Sequence, residues 1–485
     1  MKFKCSNLLY LSMILMGYTT QAKIVLPSVF SDNMVFQQKT NAAIWGKAEA
    51  GKQVEISTTW STRKYTIKAD QNGNWKVMVT TPVYGGPYQV SISDGEVLNL
   101  KNVLIGEVWI CSGQSNMEMP LAGWGKVKDY EKEIAAARYP NIRLLQVPHQ
   151  TSNTELNDVK VAHGGWRPCS PGTVAEFSSV AYFFAREIYQ KKGIPIGLIH
   201  TSWGGTIAEA WMSAQALEQR PDFAAAVTAI KKDLKSGTAD NPNRPTVLYN
   251  QMIHPFIPFA IRGAIWYQGE SNAERAHQYR TLFPELIKDW RTQWNIGDFP
   301  FYFVQLAAYK KTAEQPQASD WAELRDAQLN TLSLQNTGMA VAIDLGEQDD
   351  IHPKNKQEVG RRLALIALAK NYGYKTTYSG PVLRAHQRNG HQISLTFKFA
   401  DNGLKAAGGG ALTGFAIAGK DQKFHWAQAV IKGNTIIVSS PEVQEPVEVR
   451  YGWANYPLCN LYNGAGLPAS PFRTDQWKDN TSENK

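Results

Sequence analysis

Apolar and polar positions alternate through the first part of the chain. Segments 42–45, 53–57, 65–69, 75–80 and 88–93 carry β-branched or aromatic residues, with Asp70-Gln71-Asn72-Gly73-Asn74 and Ser93-Asp94-Gly95 as turns between them. Each such strand has one apolar face to bury, so residues 23–102 are predicted to form a small β-sandwich-like domain. Its expected role is structural, with carbohydrate binding as the alternative.

The pattern changes near Val103. Segments 103–110, 141–147, 194–200, 261–267, 301–306 and 339–345 are nearly all apolar over strand-length runs, as expected of strands covered on both faces of a parallel sheet. Helical character appears at 129–137. Thr173 followed by Glu176 predicts a capping box, opening a helix on which Val180, Ala181, Phe184 and Ile188 share the core-facing side. An α/β domain over 103–375 follows, with a polar excursion around 214–245 that ends in Asn241-Pro242-Asn243-Arg244-Pro245. Strand patterns return at 392–399, 412–417, 435–439 and 449–451 and predict a C-terminal β-rich domain over 376–485. The polar residues from Trp477 onward are expected to fray.

Lys2 and Lys4, an apolar run over 8–16 and the small-residue stretch Thr20-Gln21-Ala22 read as a signal peptide over 1–22. That run is too short to cross a bilayer, and no later stretch reaches the ~20 apolar residues of a membrane span. The expected location is the periplasm or the medium. Three cysteines follow the signal (Cys111, Cys169 and Cys459); they allow at most one disulfide and match no metal spacing. The formal charge of +9 falls by two without Lys2 and Lys4. Because it is spread thinly it predicts no nucleic-acid partner, and it bears on solubility or on attraction to anionic substrates. Most of the fifteen tryptophans and twenty tyrosines belong to cores and interfaces by expectation, leaving some to stack on sugars.

Candidate chemistry gathers in four runs. Cys111-Ser112-Gly113-Gln114-Ser115-Asn116-Met117 places a hydroxyl at the end of an apolar strand. A serine needs an adjacent base to become a nucleophile, and Asp349-Asp350-Ile351-His352-Pro353 supplies a histidine with two carboxylates just before it. Asp349 or Asp350 could hold the imidazole tautomer as the acid of a triad does; spacing does not choose between them. Thr201-Ser202-Trp203-Gly204-Gly205-Thr206 and Gln268-Gly269-Glu270-Ser271-Asn272 each follow a predicted strand. Their backbone N–H groups and the Asn272 amide are neutral donors suited to a developing oxyanion. A turn or a helix cap would explain each run taken alone. Their shared place after apolar strands is the stronger argument, because open α/β sheets gather ligand groups at the carboxyl ends of their strands.

With these motifs the chain resembles the sialate O-acetylesterase family of SGNH (GDSL-like) hydrolases. Val29-Phe30-Ser31-Asp32-Asn33-Met34-Val35, Gly113-Gln114-Ser115-Asn116-Met117, Trp203-Gly204-Gly205-Thr206, Trp266-Tyr267-Gln268-Gly269-Glu270-Ser271-Asn272, Asp350-Ile351-His352-Pro353 and the late run 464–473 carry the resemblance. It implies a flavodoxin-like SGNH hydrolase core between N-terminal and C-terminal β-rich accessory domains. It further implies Ser115 as nucleophile, His352 as base and Asp349 as acid, with Asp350 as the alternative. Ser115, Gly205 (less firmly Gly204) and Asn272 become the oxyanion donors, and Gln114, Gln268, Glu270 and Arg275 are expected at the substrate. Gly113-Gln114-Ser115 replaces the general Gly-Asp-Ser of the superfamily, a departure typical of this branch. The implied reaction is removal of 9-O-acetyl groups from sialic acid, free or on a glycan, without metal or organic cofactor. Acetylated polysaccharide such as xylan is the alternative substrate. A non-catalytic carbohydrate-binding protein and a peptidase are the rival classes, and the oligomeric state is not indicated.

Overall fold

The computed structural model describes residues 23–233, 241–400 and 402–484; the predicted signal peptide over 1–22 lies outside them. One strand, Val97–Gly113, organises the molecule, and every residue from Val103 to its end is buried. Alternate residues of a strand point to opposite faces. Val108 and Ile110 accordingly enter one core, while Trp109 and Cys111 enter another. Helix Ala276–Trp294 fills the first with Leu282, Leu286 and Trp290, joined by Leu324 of helix Asp320–Asn330. Helices Ser179–Lys192 and Lys356–Asn371 fill the second through Val180, Phe184, Leu363 and Ile366. These two helices touch at Gly360, where a Cβ would stand 2.5 Å from that of Phe183.

The central sheet runs Thr337–Ala340, Phe301–Val304, Gly263–Tyr267, Val97–Gly113, Ile196–Ser202, Tyr139–Gln146 and Arg167–Cys169. All neighbours are parallel except the last pair. Mixed α/β architecture around a mostly parallel sheet, with β-rich regions added at both ends, is therefore present. Gly113 stands opposite both Ser202 and Tyr267, so three adjacent strands finish level and their following loops meet.

Upstream, Val97–Gly113 also pairs with Gly85–Ser93 and Val35–Gln37. It crosses position 102, so the N-terminal sheet and the central sheet share a strand. The 214–245 region contains helices Ala214–Leu217 and Ala224–Lys232. At the other end, Gln392–Lys398 and Thr435–Ser439 belong to one antiparallel sheet, and Phe415–Ala418 and Glu448–Tyr451 to another. Among the described residues no helix is long and apolar enough to cross a membrane. The three described cysteines are free, Cys111 and Cys169 deep in the core.

Two expectations need correction. The capping box is formed by Ser170 and Thr173 at the short helix Pro171–Val174, not by Thr173 and Glu176. Ser178 caps the longer helix instead, accepting the Ala181 N–H. Nor does the polar tail fray. Asp479 pairs with Arg280 and Arg473, and Thr481 donates its hydroxyl to Glu323 at 2.7 Å. Polar side chains have stable places wherever buried partners of opposite character wait for them.

Candidate active site

The nucleophile loop is shaped by what surrounds it. Gly113 has φ +140°, and a Cβ there would run into the Tyr267 carbonyl, so only glycine lets the neighbouring strand come this close. The Gln114 N–H donates to that carbonyl at 2.9 Å. The Gln114 side-chain oxygen accepts the N–H groups of Gly269 and Ser271 at 3.3 Å each, clasping the third loop to the first. Ser115 opens the helical turn Ser115–Glu118 and lies half-buried on a cavity wall.

Gly204 packs onto that turn; a Cβ on it would sit 3.1 Å from the Ser115 Cβ. Its N–H is committed to Glu118 Oε2 at 2.6 Å. Glu118 also pairs with His149, whose ring lies flat on Trp203 at 4.3 Å. Gly205, at φ +72°, makes no backbone N–H bond within the described residues. Of the two glycines, Gly205 is thus the one with an amide proton left for a ligand.

Ser115, Gly205, Glu270, Arg275 and His352 line one cavity of about 1050 Å³. His352 Nδ1 stands 3.5 Å from Asp350 Oδ1, which also accepts the His352 backbone N–H at 2.8 Å. Lys354 holds the other Asp350 oxygen at 2.9 Å. Asp349 is exposed, and the carboxylate beside the imidazole is that of Asp350. Burial pushes the His352 imidazolium below its ordinary pKa, aided by Lys356 and opposed by Asp350. For Asp350 itself burial works upward, but the bonds from Lys354 and the His352 amide outweigh it and leave the carboxyl below its usual value.

Behind the nucleophile lies a hub that sequence reasoning missed. Asn116 donates to Glu270 Oε1 at 2.6 Å and to the Ile351 carbonyl at 3.0 Å, and its own oxygen accepts Lys356 Nζ at 2.5 Å. One amide therefore links the residue after Ser115, the residue before His352 and the third loop. Burial lowers the Lys356 pKa to about 7 and raises that of Glu270. Lys356 opens helix Lys356–Asn371 shortly after His352, which is its one legible signal. Trp124, more than half exposed (54%) with its ring edge-on to His352 at 5.2 Å, carried no signal at all. Lys310 and Trp321 also reach the cavity.

Not every expected residue faces the cavity. Gln268 is fully buried, donating to Thr206 and Asn272 and accepting from Tyr279, so it is scaffold and not a substrate contact. Asn272 is also buried, accepting from Gln268 and Ala208 and donating to Glu209 at 3.1 Å. Arg275 lines the cavity but spends its guanidinium on Glu209 at 2.7 Å and Gln278 at 2.6 Å. Gln114 also borders the cavity, with its oxygen engaged as described.

A hydroxyl, an imidazole with a carboxylate behind it, and an unbonded backbone N–H share the cavity at the carboxyl ends of a parallel sheet. Fold and site together define an α/β esterase. Residues 105–369 match the model of the carbohydrate esterase, sialic acid-specific acetylesterase family, and the chain belongs to that family. It is 31% identical to the sialate O-acetylesterase of Homo sapiens, over 92% of this chain and 91% of that protein. The sialate O-acetylesterase of Mus musculus is 30% identical, over 91% and 93% respectively. A carbohydrate acetylesterase from Xanthomonas citri has a similar crystal structure, with a TM-score of 0.85, 40% identity and coverage of 94% of this chain and 100% of its own.

Proposed function

We propose that the chain is a serine-dependent sialate O-acetylesterase that removes 9-O-acetyl groups through an acetyl-enzyme. The observation that carries this reading is that Ser115, His352 and Gly205 line one cavity, with Asp350 beside His352. His352, whose neutral form is favoured by burial, takes the Ser115 proton as the hydroxyl attacks the acetyl carbonyl. Asp350 orients the ring and stabilises the imidazolium, a role the family resemblance gave to Asp349 with Asp350 as the alternative. The Ser115 and Gly205 N–H groups hold the oxyanion; Asn272, the third expected donor, lies buried behind the cavity with its amide on Glu209. His352 then protonates the leaving sugar hydroxyl and activates the water that frees acetate. No step calls for a metal or an organic cofactor.

With Tyr139–Gln146 and Arg167–Cys169 set aside, the five remaining strands lie in the order 2-1-3-4-5. This is the flavodoxin-like order, and it supports an SGNH-type core. The site then falls where such sheets bind ligands, at the reversal of strand order. The divisions 23–102, 103–375 and 376–485, with strand Val97–Gly113 shared across the first boundary, and export by residues 1–22 complete the reading.

The test follows acetate release from 9-O-acetyl sialic acid and from acetylated xylo-oligosaccharides, with Ser115→Ala alongside. Serine-dependent release from the sialoside supports the reading. Release mainly from the xylo-oligosaccharides replaces the substrate, and release that survives Ser115→Ala overturns the mechanism.

A further inference from the structure

A second cavity, of about 480 Å³, opens between residues 315–318 and the C-terminal β region. Phe424, Trp426 and Trp453 give it aromatic walls; Gln315, Gln317 and Gln422 bring amide side chains to it. A smaller cavity of about 260 Å³ adjoins it, and Trp426, Trp453 and Gly414 line both. Trp426 is 40% exposed, and its indole N–H is fixed to the Glu314 carbonyl at 2.8 Å. Trp453 differs, with the guanidinium groups of Arg450 and Arg473 over its ring at 4.6 and 5.4 Å. Trp426 is therefore an anchored aromatic plate with open space beside it.

Among the described residues no carboxylate lines either cavity. Arg450 and His425 are already engaged by Asp475 and Glu442. An anchored indole next to uncharged amide groups matches the two sides of a pyranose, its apolar C–H face and its hydroxyl rim. Phosphate or carboxylate ligands have little here to bind beyond Lys423.

The position matters as much as the chemistry. Ala318 borders the aromatic cavity and Trp321 the catalytic one; three residues of chain keep their Cα atoms within about 11 Å. The same stretch is bolted to the β region. Tyr309 N–H donates to the Asn455 carbonyl at 3.2 Å, Ser319 Oγ to Asn455 Oδ1 at 2.7 Å, and Arg325 to the Ala454 carbonyl at 2.7 Å. One rigid segment thus walls both cavities.

We infer that the aromatic cavity is a second saccharide subsite. It stacks a neutral pyranose of the glycan on Trp426 while the acetylated terminal sugar occupies the catalytic cavity. The inference rests on the proposed function for its substrate class. The experiment compares the full chain with Trp426→Ala and Trp426→Phe, measuring acetate release from free 9-O-acetyl sialic acid and from that sugar carried on a neutral tetrasaccharide. Direct binding of the unacetylated neutral tetrasaccharide to Ser115→Ala protein is measured by calorimetry, with and without Trp426→Ala.

Loss of one aromatic contact should raise KM for the glycan about five- to tenfold in Trp426→Ala, leave KM for the free sugar unchanged, and weaken tetrasaccharide binding by a similar factor. Trp426→Phe keeps an aromatic face and should keep most of the glycan affinity; if the alanine variant does not fold, calorimetry on the Ser115→Ala protein alone still decides, because absence of tetrasaccharide binding overturns the subsite. Equal KM changes on both substrates, no change on either, or no tetrasaccharide binding would overturn the subsite. Trp426-dependent tetrasaccharide binding by a protein that leaves 9-O-acetyl sialic acid intact would uphold the subsite and refute the proposed function.

Discussion

Replacing Asn116 by alanine removes the amide on which three parts of the site converge. Its partners are the Glu270 carboxyl, the Ile351 carbonyl and the buried Lys356 ammonium, at 2.6, 3.0 and 2.5 Å. Hydrogen bonds to charged groups are worth about 1.5–3 kcal/mol each. Two such bonds would suggest a loss near the top of the usual range for single substitutions. Glu270 and Lys356 attract one another and can close part of the gap, so the expected loss of stability is about 2–4 kcal/mol. The kinetic effect should be the larger one. Ile351 precedes His352, and a base displaced by about an ångström costs on the order of 100-fold in rate. Urea unfolding gives the stability term, and kcat on an activated acetyl ester gives the chemical one. Asn116→Asp is the companion variant: it keeps an acceptor for Lys356 but faces Glu270 and the Ile351 carbonyl with oxygen instead of N–H. It should fold better than the alanine variant and still lose kcat. If Asn116→Ala kept its unfolding midpoint and its kcat within twofold, the hub would be incidental and this reasoning wrong.

Three further outcomes are expected. Asp350→Asn should cut kcat/KM sharply while Asp349→Asn leaves it near wild type, since only the Asp350 carboxylate stands beside His352; the opposite ranking would return the acid role to Asp349. Lys356→Met removes a positive charge that helps hold the His352 pKa down. The acid limb of kcat/KM should therefore move to higher pH, and a pH–rate profile showing it unmoved or lowered would refute that coupling. Lys310, whose ion-pair partner Asp320 is 3.9 Å away, is freer to meet a sialoside carboxylate than Arg275, held by Glu209 and Gln278. Lys310→Ala should accordingly raise KM for 9-O-acetyl sialic acid relative to a neutral acetyl ester more than Arg275→Ala does, and the reverse order would give recognition to the arginine.

The parallel sheet was legible because its strands are buried on both faces, which leaves nearly unbroken apolar runs such as 103–110 and 261–267. The level ends at Gly113, Ser202 and Tyr267 then bring together loops that the sequence could only mark as similar. What stayed hidden depends on pairings across long stretches of chain. Gln114, expected at the substrate, does border the cavity, but nothing in the sequence signals that its oxygen also clasps the loop at Gly269 and Ser271, more than 150 positions away. Gln268, also expected at the substrate, is buried instead, its polar groups being consumed by Thr206, Asn272 and Tyr279. Asp349 and Asp350 fit the spacing equally well, and only the turn of the backbone places one beside the ring. Thr173 was read as the start of a capping box because Glu176 follows it at the right spacing, while Ser170, the true cap, lies three residues upstream with equally suitable chemistry.

The tail that packs against Glu323 and Arg280 also sets an order of events. Asn484 borders the catalytic cavity and donates to the Glu274 carbonyl at 2.7 Å. Ser115 and His352 leave the ribosome well before it, so for much of its synthesis the chain carries the reacting groups without the last piece of their enclosure. Domains fold as they emerge, and here the catalytic wall must wait for residues 479–484. A chain cut before residue 479 would hold its reagents in place with its vessel open, and the loss of the bond from Asn484 to Glu274 would be felt at the ester.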